Sequence, residues 1–202
     1  FNMEQKGAQD PRYIVPPRKD HYMAILEKAD GLIKRWSVAP ELDGAMEFIR
    51  DVSSMGIVVS GGHTKADFDT IGRAVDCGMT MLTHYYSAMS SMVKKGSWKI
   101  LGATEAGLYF DELTVELISD GCHIPENLLK LIFKLKDKSK IIGISDSMRG
   151  AGFESGESIL GPKNNGTPVV IEDGVAKLMD RSCFAGSIAT GIRLVKTLSQ
   201  LA

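Results

Sequence analysis

Between Trp36 and Ile144, short and nearly all-apolar segments alternate with stretches whose apolar residues recur every three to four positions. The pattern predicts strands over 36–40, 56–61, 79–83, 114–118 and 140–144, and amphipathic helices over 18–31, 43–52, 65–76 and 125–136. Strands apolar along their whole length need cover on both faces. That is the condition of a parallel sheet with crossover helices, hence an α/β fold. Residues 1–17 show no sustained period and read as a loop. Residues 150–184 form an excursion with a hairpin, 169–171 turning at 172–174 into 175–178. Residues 187–201 return to helix, with Ile188, Ile192, Val195 and Leu198 on one face.

A 22.0 kDa chain can bury roughly 70% of its unfolded surface, so 1–202 is expected to form one domain. With 24 Lys+Arg against 25 Asp+Glu the net charge is -1, which gives no basic face for nucleic acid or an anionic membrane. No apolar run nears the roughly 20 residues of a membrane span. The three cysteines, Cys77, Cys122 and Cys183, are odd in number and lack a CxxC pair. They argue against a disulfide framework and a thiolate zinc site, and for a cytoplasmic protein. The first residue is Phe1, and the chain is expected to be a piece of something longer.

The polar residues best suited to chemistry follow the C-terminal ends of predicted strands: His63, His84, Asp120 with His123, and Asp146. That edge carries the active site in α/β barrels and binds ligands in open doubly wound sheets, so position alone leaves both architectures open. His63 and His84 are one strand–helix unit apart. On adjacent strands about 4.8 Å apart their imidazoles can converge on one metal ion, or each can simply cap its strand end. Asp146 is placed to act as a general base if buried beside a cation, or to cap the following turn. Gly61–Gly62 and Gly186–Ser187 can bring backbone N–H groups to an anion, or only make turns. Lys94 and Lys95 can meet a phosphate, or be a solvated pair in a loop.

At these residues the sequence resembles the N-acetylglucosamine-6-phosphate deacetylases of the amidohydrolase superfamily. The matching segments are Lys6-Gly-Ala-Gln-Asp-Pro11, Val38-Ala-Pro-Glu41, Gly61-Gly-His-Thr64, Thr83-His-Tyr-Tyr-Ser-Ala-Met-Ser90, Ile118-Ser-Asp-Gly-Cys-His123, Ser145-Asp-Ser-Met148 and Ala185-Gly-Ser187, in the family's order. The resemblance implies a partial (β/α)8 TIM barrel, about strands four to eight, in which a divalent metal activates water to cut the acetamide of a sugar 6-phosphate. It makes His63 and His84 metal ligands, with zinc expected first and iron or another divalent ion also compatible. It makes Asp146 the residue that takes the water's proton and protonates the leaving amine. His123, Gln9, Ser87, Ala88 and Ser187 become substrate contacts, and Lys94 and Lys95 contacts to phosphate in a partner subunit of a homodimer.

The sequence departs from the family at Ser87, where asparagine is usual, and at Gln9, where histidine is usual. Lysines stand near the family's phosphate-binding arginine, which loses its bidentate fork. The family's Glu-Gly-Pro and His-x-His motifs, the first holding a metal-binding glutamate, do not occur. The chain alone is therefore expected to be inactive. Two rival readings stand beside this one: a non-catalytic sugar-phosphate-binding protein, and an amidohydrolase acting on another N-acyl or cyclic amide substrate.

Overall fold

The structure is a computed structural model and describes residues 1–200. Helix α1 spans Lys19–Ala29, strand β1 Arg35–Val38, α2 Ala45–Ser54, β2 Val58–Gly61, α3 Phe68–Asp76 and β3 Met79–Leu82. A hairpin follows, β4 Val93–Lys95 and β5 Trp98–Ile100, then α4 Ala103–Tyr109, β6 Thr114–Ile118, α5 Glu126–Leu135 and β7 Ile141–Ile144. Strands β8 Gly156–Leu160, β9 Thr167–Glu172 and β10 Val175–Leu178 precede α6 Gly191–Ser199.

Strands β1, β2, β3, β6 and β7 form one five-stranded sheet in that order, every pairing parallel. One face is closed by helices. Phe48, Ile49 and Val52 of α2, Ile71 and Ala74 of α3, and Leu129 and Ile132 of α5 pack with Val59, Leu82, Val115 and Leu117 of the strands. α3 is started by Asp67, whose carboxylate accepts the Thr70 N–H at 2.9 Å.

The other face differs from the expected all-apolar lining. It carries Ser60 on β2, Thr83 just past β3 and Glu116 on β6, while Val58 and Ile142 are 37% and 39% exposed. Ser60 and Ser37 hydroxyls both meet the Thr83 hydroxyl, at 2.6 and 2.7 Å. Arg35 on β1 pairs with Glu116 on β6, three strands away in the sheet order. Strands about 4.8 Å apart would separate these positions by about 14 Å in a flat sheet, so the pair closes only because the sheet curls toward this face.

The excursion is a three-stranded antiparallel sheet, β10–β9–β8, with a small core of Met148, Val169, Ile171, Ala176, Ala185 and Ile188. The expected hairpin is its β9–β10 pair, closed by Asp173 and Gly174 at φ 53° and 77°, the two-residue turn that matches strand twist. Two expectations need correction. Lys94 and Lys95 lie in strand β4 of an exposed hairpin, turned by Gly96 at φ 61°, and not in a loop. The last helix begins at Gly191, so Ser187 and Ile188 precede it, and its Ile192 and Val195 are 84% and 69% exposed instead of buried; Leu201 lies outside the described residues. Helix α4 was not expected; it packs closely because Gly107 leaves room for the Tyr85 ring, which an added Cβ would approach to 2.5 Å.

Candidate active site

The C-terminal ends of β2, β3, β6 and β7 open on one cavity of about 550 Å³. Its wall includes Gln9, His63, His84, Ser87, Ala88, His123 and Asp146 together. Gln9 also borders a neighbouring cavity of about 360 Å³. At three strand ends the second residue past the strand has a left-handed backbone: His63 at φ 48°, His84 at φ 32° and Asp146 at φ 47°. Non-glycine residues pay for that conformation, and such residues concentrate at functional sites.

His63 and His84 converge. Their Nε2 atoms are 3.0 Å apart and their rings stand nearly perpendicular, at 84°. His63 Nδ1 lies 2.7 Å from the Gln5 carbonyl, and His84 Nδ1 lies 3.1 Å from the Ser87 carbonyl. A carbonyl only accepts, so each of these contacts needs an N–H from the ring. The Nε2–Nε2 contact needs another. Three contacts call for three protons, and two neutral imidazoles carry two. Protonating a ring is disfavoured: burial, and then the neighbouring His84, push His63 down to about 4, and burial lowers His84 as well. With both Nδ1–H groups committed, two Nε2 lone pairs face each other, and a cation between them relieves the conflict.

The donor set therefore suits a metal that imidazole binds, and it supplies two of the three protein ligands usual at a catalytic zinc site. Among the described residues no group of three or more His, Cys, Asp or Glu is arranged to hold a metal ion. The His63 ring is further fixed by Phe1, stacked on it at 4.3 Å.

The remaining residues sort by contact. Asp146 is exposed on the cavity wall, not buried as a general base was expected to be. Its carbonyl accepts the Ser187 N–H at 3.0 Å, which ties its loop to the segment before α6. Ser187 itself is fully buried behind the wall, its hydroxyl accepting the Ala189 N–H at 2.9 Å, so Ala185 and Gly186 are what that loop presents to the cavity. Gly62 does not offer its N–H to an anion. It donates to Val38 at 3.1 Å, and the glycine is needed because a Cβ would stand 2.9 Å from Thr83. Lys94 and Lys95 do not line this cavity. Tyr86, Cys183 and Phe184 do, and were not singled out; Phe184 packs edge-on against His123 at 4.9 Å.

No family model matches the chain. Of curated proteins, N-acetylglucosamine-6-phosphate deacetylase of Bacillus subtilis is 35% identical over 185 residues, covering 92% of this chain and 44% of that protein. The enzyme of the same name from Lysinibacillus sphaericus is 32% identical over 202 residues, covering 98% and 49%. This chain is homologous to part of an N-acetylglucosamine-6-phosphate deacetylase. It spans about half the length of the curated relatives it matches. A solved N-acetyl-D-glucosamine-6-phosphate deacetylase from Mycobacterium smegmatis, a D267A mutant in complex with N-acetyl-D-glucosamine-6-phosphate, superposes with a TM-score of 0.90 at 27% identity. The match covers 98% of this chain and 50% of that one.

Proposed function

We propose that this chain is the larger part of the catalytic face of a metal-dependent deacetylase that converts N-acetylglucosamine 6-phosphate to glucosamine 6-phosphate and acetate. The observation that carries the reading is the proton-deficient contact between His63 and His84 at 3.0 Å, set at the mouth of parallel strands. The five parallel strands and the curl that joins Arg35 to Glu116 support strands four to eight of a partial (β/α)8 barrel, with 1–202 as one partial domain.

His63 and His84 would hold a divalent cation, zinc before iron. When bound, such an ion supplies Lewis acidity toward water and the acetamide carbonyl. Asp146, on the same wall, takes a proton from the attacking water and returns it to the leaving nitrogen. His123 meets the substrate through Nε2, because its Nδ1 is committed to Asp120. Gln9, Ser87 and the Ala88 backbone contact the sugar phosphate, and Ser187 shapes the acetyl wall through Ala185 and Gly186. Lys94 and Lys95, on an exposed hairpin, reach the phosphate of a second copy in a cytoplasmic homodimer.

The test is acetate release from N-acetylglucosamine 6-phosphate by the complete protein, before and after chelation and with zinc restored. Chelator-sensitive turnover supports the reading. Tight binding of the sugar phosphate with no turnover at any metal supports the non-catalytic alternative, which Ser87 and Gln9 favour by standing where the resembled family usually carries asparagine and histidine. Turnover only on another N-acyl or cyclic amide assigns a different amidohydrolase substrate.

A further inference from the structure

The face of the sheet below the cavity contains a buried charge that the proposed reaction leaves unused. Glu116, 2% exposed on β6, points into this face and pairs with Arg35 on β1. Its Oε2 also lies 3.4 Å from the backbone nitrogen of His84 and accepts that N–H. His84 N–H has no place in the β3–β6 ladder. The next amide along, Tyr85 N–H, donates to the Glu116 main-chain carbonyl at 2.7 Å. One residue thus meets two successive amides, with its side chain on His84 and its backbone on Tyr85.

We propose that Glu116 is a positioning residue for His84, with Arg35 as the strut that holds its carboxylate in place. His84 adopts φ 32°, a left-handed conformation that disfavours non-glycine residues and must be held by its surroundings. A buried carboxylate stays charged only with a partner, and Arg35 reaches across the curled sheet to supply one. Together they fix the amide from which the His84 ring projects toward His63. The inference rests on the deacetylase reading only for what His84 is used for; the positioning itself is a property of the metal-free fold.

Amide hydrogen exchange of the metal-free protein tests it, with Tyr85 as the internal control because its partner is the Glu116 backbone. An Arg35→Met, Glu116→Leu double variant removes the pair without leaving a lone buried charge, and Glu116→Gln keeps the shape of the side chain. The expected result is at least tenfold faster exchange at His84 with Tyr85 unchanged in the double variant, and a smaller rise in Glu116→Gln. Unchanged exchange at His84, or equal acceleration at both amides, overturns the proposal, the second because it marks general loosening. In the same variants zinc affinity should fall about 10–100-fold, as for other residues that orient metal ligands. If the unsubstituted protein neither binds zinc nor releases acetate, the deacetylase reading fails while the exchange result still decides the role of Glu116.

Discussion

Asp120 Oδ2 accepts the Nδ1–H of His123 at 2.7 Å, while its Oδ1 accepts the backbone N–H groups of Cys122 and His123 at 2.8 and 2.9 Å. The carboxylate is almost fully buried, and it decides which nitrogen of the His123 ring is left for a ligand. Replacing Asp120 by asparagine keeps an acceptor but removes the charge-assisted bond. Bonds of that kind contribute about 1.5–3 kcal/mol, so kcat/KM for the sugar phosphate should fall roughly 10–100-fold. Steady-state kinetics of Asp120→Asn check this; unchanged values would remove His123 from the substrate site.

The same carboxylate should shape acid stability. Burial raises its pKa, but the His123 ring and the two backbone N–H groups more than offset this and leave it at about 2, below the ordinary aspartate value of 3.8. A lowered folded-state pKa means stability that is present above the unfolded value and lost as pH falls through the folded one. The lowering corresponds to about 2 kcal/mol, present above about pH 4 and gone near pH 2. Denaturant midpoints of the parent and Asp120→Asn, measured from pH 7 to 2, should converge across that window. A constant gap would show that the pair does not titrate this way.

Asp146→Asn should lower turnover by at least about 100-fold and leave zinc bound, since general acid–base catalysis is worth about 10²–10⁴. The fold should survive the change because asparagine accepts a left-handed backbone, here φ 47°. Acetate assays paired with zinc titration separate the outcomes: near-normal turnover assigns Asp146 a purely structural role, and lost metal makes it a ligand.

Replacing Lys94 and Lys95 together by alanine should raise KM for the 6-phosphate and spare the unphosphorylated sugar, because only a charge-assisted contact is removed. Both residues sit on an exposed hairpin away from their own cavity, so the effect should require a dimer. Equal effects on both substrates would discard the assignment.

The 202-residue chain by itself should associate and show no turnover. Strands β1 and β7 end the sheet with no further neighbour among the described residues, and Ile192 and Val195 stand open to solvent. Light scattering and an acetate assay with added zinc check both halves. A soluble monomer turning over at the usual enzymatic 1–10³ s⁻¹ would refute the expectation.

The parallel sheet was legible because Val58–Gly61, Met79–Leu82 and Thr114–Ile118 are short apolar runs between helices of clear period. The convergence of His63 and His84 was legible too, since equivalent positions on neighbouring strands must face each other. The proton shortage between them was not, because it depends on the carbonyls of Gln5 and Ser87, groups every residue carries. The β4–β5 hairpin did leave a signal, Gly96-Ser97 between Val93 and Trp98, a two-residue hairpin turn hidden by the charge of Lys94 and Lys95. Helix α4 left little, because Ala103, Ala106 and Gly107 bury small surfaces and their spacing gains meaning only against Tyr85. For α6 the apolar stripe is covered only in part, half-buried Leu198 lying against Gly143 of β7 while Ile192 and Val195 stay open, so the periodicity does not by itself give the extent of burial.

The left-handed residues that close β2, β3 and β7 also govern how this protein can change over evolutionary time. At positions 63, 84 and 146 the backbone admits glycine, asparagine, aspartate and histidine far more readily than branched or bulky residues. A saturation library scored only for protein abundance should therefore enrich that short alphabet at all three positions, although the proposed chemistry uses just one member of it at each. Lineages that lose activity can drift there to asparagine or glycine without unfolding, so inactive descendants should keep the loop shapes long after the imidazoles and the carboxylate are gone.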